Sequence, residues 1–224
     1  MKRWLTGAVV AVLLLSACAT KPEPEEAVPV ETGSGWTVHT AIMTPVVTEE
    51  EKAVFARASE GSEGSFTTVA VLASQVVSGT NYAYLCLKET DASADWEIVK
   101  VYAALDGGAS IEHEAVIDPS ALKTTDSGIK AGLAGGWEVN PNRANAIVLE
   151  PEVNTAFAKG TESFSEAVLS PLVLLAESET TYLILTQGTR MEDASEQIYA
   201  AAVQKNSDEP AAVSILDLVS YLSE

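Results

Sequence analysis

An internal repeat limits this chain more than any other feature of its sequence. Gly136-Trp137 answers Gly35-Trp36, Phe157-Ala158-Lys159 answers Phe55-Ala56-Arg57, and Leu175-Ala176 answers Leu72-Ala73. Thr180-Thr181-Tyr182 answers Thr80-Asn81-Tyr82, and Ile198-Tyr199-Ala200-Ala201 answers Val101-Tyr102-Ala103-Ala104. The separations are 101, 102, 103, 100 and 97 residues, a near-constant register with small loop changes. Two copies of about 90 residues each fit the length. The boundaries read as 35–122 for the first copy, 123–135 for a linker within a stretch, 119–135, that carries Ser, Thr, Asp, Gly and Lys, and 136–224 for the second. A hydrophobic fraction of 47% leaves enough Val, Leu and Ala in both copies to build packed cores.

Within the first copy the pattern runs strand, helix, then four antiparallel strands. A short strand starts near Trp36. Thr48 and Glu51 have the spacing of a capping box, and Val54, Phe55 and Ala58 then share one helical face. Gly61 and Gly64 end that helix. Residues 66–77 and 81–88 form a long hairpin turning at Ser78-Gly79, and residues 96–105 and 111–117 form a second hairpin around Asp106-Gly107-Gly108. A helix across such a sheet is an α+β unit. The second copy repeats the scaffold but shortens the first hairpin. Six residues separate Ala73 from Thr80, whereas only Glu177-Ser178-Glu179 separates Ala176 from Thr180. The last segment, residues 211–222, reads as a paired final strand.

The first 18 residues read as an export signal: Lys2 and Arg3, then an apolar stretch of twelve residues from Trp4 to Leu15, too short to span a bilayer. Leu15-Ser16-Ala17-Cys18 resembles the lipobox of bacterial lipoproteins. That resemblance implies acylation of Cys18 and a permanent lipid anchor. The protein would then sit in a bacterial cell envelope, facing away from the cytoplasm, with Ala19 favouring outer-membrane sorting. Residues 19–34, rich in Pro and Glu and without a period, form a flexible tether. Without Lys2 and Arg3 the chain keeps 11 basic and 32 acidic residues, a net −21. That charge repels nucleic acid and anionic headgroups, so the lipid and not the protein surface holds the membrane. Cys86, the other cysteine, lies between Leu85 and Leu87 and reads as a buried, inert thiol.

No residue set points to catalysis. His39 and His113 lack metal-ligand spacing. Ser120-Ala121-Leu122-Lys123 has a Ser-x-x-Lys spacing without its companion motifs. No glycine-rich phosphate loop follows a strand. Glu49-Glu50-Glu51 suits a solvated helix start better than calcium. No enzyme, cofactor or metal is expected. Trp36 and Trp137 occupy matching places and read as core.

Gln75-Val76-Val77-Ser78-Gly79 resembles the Gln-x-Val-x-Gly signature of the cystatin family, inhibitors of papain-like cysteine proteases, and Thr80-Asn81-Tyr82 extends the likeness to the stefin branch. The resemblance covers residues 35–122 directly and the rest through the repeat. It implies two cystatin-like α+β domains, each an antiparallel sheet wrapped around one helix. It also implies a wedge that fills a protease cleft without being cut. The wedge would consist of Gly35, then Gln75, Val76, Val77, Ser78 and Gly79, then the second hairpin at Asp106 and Gly107. The chain departs from the family at this third element, where Leu105-Asp106-Gly107-Gly108 replaces the usual Pro-Trp. The expected function is reversible inhibition of a papain-like cysteine protease by the first copy. The alternative is a non-inhibitory binding or scaffold lipoprotein on the same fold, with another surface protein as partner. The second copy lacks the hairpin motif.

Overall fold

The computed structural model describes residues 35–39, 47–118, 137–139 and 148–223. The signal, Cys18, the tether and the linker lie outside the described residues. The first half contains β1 (Thr37–Val38), α1 (Glu49–Ala58), β2 (Ser65–Val76), β3 (Gly79–Glu89), β4 (Ala94–Ala104) and β5 (Ala109–Val116). The second contains β6 (Glu138–Val139), α2 (Pro151–Thr161), β7 (Ala167–Glu177), β8 (Thr181–Arg190), β9 (Glu196–Gln204), β10 (Ala212–Ile215) and α3 (Leu218–Leu222). Each half forms one antiparallel five-stranded sheet, with strands adjacent in chain order.

The expected α+β class, two cystatin-like domains each wrapping its sheet around one helix, is overturned. Among the described residues the protein is mostly β, with two five-stranded sheets and three short helices of 10, 11 and 5 residues. The reason lies in the strands. Val69 to Ala73, Ala83 to Leu87, Leu172 to Ala176 and Ile198 to Val203 are continuously buried. Such runs need cover on both faces, and a helix supplies only one. Leu72, Leu85, Leu87, Trp96 and Ile98 of the first sheet share one core with Leu175, Leu183, Leu185, Ile198 and Ala200 of the second. The helices cap the two outer faces. Val54 and Phe55 of α1 pack with Val71, Tyr84, Val99 and Val101. Val153, Ala156 and Phe157 of α2 pack with Leu174, Tyr182, Ile184, Ala201 and Val203.

The two sheets carry matching irregularities. In β2 the register with β3 shifts between Thr68 and Ala70 and again between Val71 and Ala73. In β7 it shifts between Pro171 and Val173 and between Leu174 and Ala176, each 103 residues later. Bulges bend a strand and release its polar groups from the ladder. The carbonyl of Leu72, the extra residue of the second bulge in β2, accepts from His39 N at 2.9 Å. Its counterpart Leu175 accepts instead from Trp96 Nε1 at 2.5 Å, a hydrogen bond that ties the two sheets together.

Two local expectations need correction. The register equates Val99, opposite Tyr84, with Ala201, opposite Ile184, a separation of 102 and not 97. Matching Val101 to Ile198 is out by five residues. An odd slip exchanges the two faces of a strand: Val101 faces α1, while Ile198 faces the other sheet. The final segment is also not a single strand. After four residues of β10, Asp217 caps α3 through Val219 N at 3.1 Å.

Candidate functional site

The site follows from two antiparallel pairings. Thr37 pairs with Ser74 and Val38 with Ala73, so the chain before β1 runs back toward the end of β2 and brings Gly35 to it. Gly79 pairs with Ala104, so the β2–β3 turn lies beside the β4–β5 turn. Gly35, Gln75 to Gly79, Asp106 and Gly107 therefore meet at one end of the first sheet. A Cβ built on Gly35, which has φ +77, would stand 3.5 Å from Gln75 Nε2.

These residues do different work. Gln75 is half-buried behind the turn, where its Oε1 accepts from Asn81 Nδ2 at 2.8 Å and ties the two strands together. Val77 N donates to Gly79 O at 3.0 Å and closes the turn. Gly79 is buried. A Cβ there would lie 2.3 Å from Ala103 O and 2.8 Å from Tyr102 Cε2, so the position has no room for a side chain. Tyr102 OH lies 3.4 Å from both the Oγ and the carbonyl of Ser78. In the second hairpin Asp106 Oδ1 accepts from Gly108 N at 3.0 Å, and Ala104 N donates to Gly108 O at 2.8 Å. Gly107, at φ +91, stands in open space.

The outward surface is apolar at its tips. Val76 is 85% exposed, Val77 46% and Leu105 89%. The turns that hold these side chains are stiff, so their presentation costs little ordering entropy. Behind the tips, Tyr84 OH donates to Glu51 O at 2.9 Å, which fixes the start of α1 over β3. Burial raises the Tyr82 phenol, and Glu51 and Glu50 raise it further, so the ring stays neutral. His39 donates to or accepts from Ser74 Oγ at 2.8 Å. Burial lowers its pKa, partly offset by Glu51, so it too is neutral near pH 7.

At the matching end of the second sheet the β7–β8 connection is short, closed by Ser178 N to Thr181 O at 2.8 Å. Lys205 lies over the Tyr182 ring at 4.8 Å and pairs with Glu177 at 2.9 Å, so this end presents a charged surface and no apolar turn.

Tyr102 and Leu105 belong to the three-turn end of the first sheet, although the sequence did not single them out as contributors. An aromatic two residues from a glycine on the paired strand was the available signal for Tyr102. Also overlooked were Lys88, Glu97 and Glu114, charged residues that lie side by side on β3, β4 and β5. Among the described residues no cluster of three His, Cys, Asp or Glu could hold a metal ion, and no helix is long and apolar enough to cross a membrane. Two open depressions, of about 680 and 580 Å³, lie away from the tips, against Lys88 and against Lys159 and Lys205. All three lysines are already ion-paired. No family model, curated protein or solved structure matches this chain, so what the site can do rests on its own geometry.

Proposed function

We propose that this is a non-catalytic binding protein, lipid-anchored through Cys18 in a bacterial envelope, whose working surface is the three-turn end of the first sheet. The partner class we assign is a papain-like cysteine protease, inhibited reversibly when the turns enter its cleft. The observation that carries this reading is the exposure of Val76, Val77 and Leu105 on two adjacent, internally hydrogen-bonded turns. Burying each of these side chains in a cleft contributes roughly 1.5–3 kcal/mol. Gln75 and Gly79 support the turn from behind, while Val76, Val77 and Leu105 make the contact.

The test is to titrate protein beginning after the tether against a panel of papain-like proteases. Inhibition at micromolar protein is expected, and Val77→Asp or Val76→Asp should weaken it by about tenfold or more. Glu179→Lys, in the short turn of the second sheet, should leave it unchanged. Unaltered protease activity at that concentration rejects inhibition of the enzymes tested. One feature favours the second reading, a binding module that does not inhibit: the acidic Asp106-Gly107-Gly108 turn offers a single apolar side chain, Leu105, where a cleft would accept more. A protease that binds the protein but keeps its activity would support that reading.

A further inference from the structure

The two sheets share one scaffold, and they differ most at a place far from the tips. On the α1 side of the first sheet, Lys88 of β3, Glu97 of β4 and Glu114 of β5 form a charged trio across three neighbouring strands. Lys88 Nζ is bonded to Glu114 Oε2 and stands 3.9 Å from Glu97 Oε2. The Lys88 ammonium lies over the Phe66 ring at 5.0 Å. Glu97 is only 6% exposed, and its Oε2 accepts no hydrogen bond.

The second sheet shows that the fold does not require these charges. Cys86 pairs with Glu97 as Thr186 pairs with Tyr199, so Glu97 corresponds to Tyr199 and Lys88 to Gly188. Glu114, opposite Val99, corresponds to Val213, opposite Ala201. Tyr199 covers Gly188 so closely that a Cβ there would meet its Cε2 at 2.6 Å. Where one sheet is closed by an aromatic on a glycine, the other holds two carboxylates and one ammonium.

We propose that Lys88, Glu97 and Glu114 form an acid-closed latch across β3, β4 and β5, in which Glu97 takes up a proton and donates it in a hydrogen bond to the Glu114 carboxylate. Lys88 remains on Glu114, the trio becomes neutral, and the three strands are joined side chain to side chain. Above that point two carboxylates share one ammonium, and the more deeply buried one keeps its Oε2 without a hydrogen bond, a costly arrangement. The surroundings favour proton uptake. Burial pushes the Glu97 carboxyl up, Glu114 and Asp95 add to this, and Lys88 opposes it. Cys86, beside Glu97, is held as the neutral thiol, and Glu63 adds further negative charge near Lys88. From β2, Phe66 and the paired Thr68 add no charge. On α1, Arg57 acts on Tyr84. Lys100 of β4 reaches the opposite face, to the carbonyl of Leu222.

The sign follows from linkage. The closed sheet binds a proton that the opened sheet, with an ordinary glutamate near 4.5, does not. Closure therefore strengthens as pH falls through the raised value and levels off below the ordinary one. One proton changes the opening equilibrium by at most about tenfold per pH unit.

The full chain is examined by amide exchange of Ile111 to Val116, corrected for the intrinsic pH dependence of exchange, between about pH 7.5 and about pH 4.5. Protection in β5 should rise as pH falls in the natural protein and stay flat in Glu97→Gln. The triple variant Lys88→Gly, Glu97→Tyr, Glu114→Val, which installs the second sheet's residues, should fold and also stay flat. Carboxyl ¹³C shifts should show Glu97 titrating above the ordinary glutamate range. An ionised Glu97 at pH about 4.5, or a Glu97→Gln protein that keeps the same pH slope, overturns the latch.

Discussion

At the scale of single residues, the chain shows how one missing side chain shapes a site. Gly79 is held against Ala103 O and the Tyr102 ring, with no space for a Cβ. Gly79→Ala should therefore cost about 1–3 kcal/mol by overpacking, read as a lower denaturation midpoint. For the same reason, substitution at Gly79 tests stability and not binding, and Val76 and Val77 are the positions that probe contact. Cys86 is fully buried, and desolvation, then Glu97 and Glu114, push its thiol well up. It should resist alkylation in the folded protein at neutral pH and react only after unfolding, measured by mass spectrometry against a denatured control. Rapid labelling of folded protein would show that β3 opens locally. The sequence made Cys86 legible because it stands between two leucines. It hid the role of Glu97, because a charged residue in a strand reads as solvent-facing until the strand's other neighbours are known.

At the scale of elements, what was local was legible. The Thr48 to Glu51 capping box is present, with Thr48 N donating to Glu51 Oε2 at 2.7 Å and Glu51 N to Thr48 Oγ1 at 3.2 Å. Thr48→Ala should lower stability by about 1 kcal/mol, measured by chemical denaturation. α2 has no side-chain cap at Glu150 and starts instead on Pro151. It makes up for this in packing: Gly160 sits so near β9 that a Cβ would meet Val203 Cγ1 at 2.9 Å. The hairpin turns were also readable from their glycines. The alignment of β4 with β9 was not, because Tyr-Ala-Ala occurs in both strands at places that face opposite ways. Only the hydrogen-bonded register separates the two.

At the scale of the whole molecule, the sheets depend on each other. Trp96 is 3% exposed and spans the interface to the Leu175 carbonyl. Trp96→Phe keeps most of the apolar volume but leaves that carbonyl unpaired, and should cost about 1–3 kcal/mol. Residues 35–122 expressed alone would expose Leu72, Leu85, Leu87, Trp96 and Ile98. They should self-associate or precipitate, as apolar patches of that size do. A monomeric, cooperatively folding fragment in a sedimentation experiment would show that the first half does not need the second. α3 adds to the joint, since the carbonyl of its last residue, Leu222, accepts from Lys100 Nζ of β4 at 3.4 Å.

The sequence by itself determined the repeat, the capped first helix, the hairpin turns and the apolar residues Val76 and Val77 at the first of them. Each depends on neighbours within a few positions, or on a comparison of one half with the other. Only the tertiary structure decided that the halves press their strands together, making the protein mostly β. It also decided that Gly35, the first turn and the second turn converge, and that a charged trio replaces an aromatic cover in one sheet. Long apolar runs say that both faces of a strand are covered but not by what, and covering partners a hundred residues away are chosen by packing.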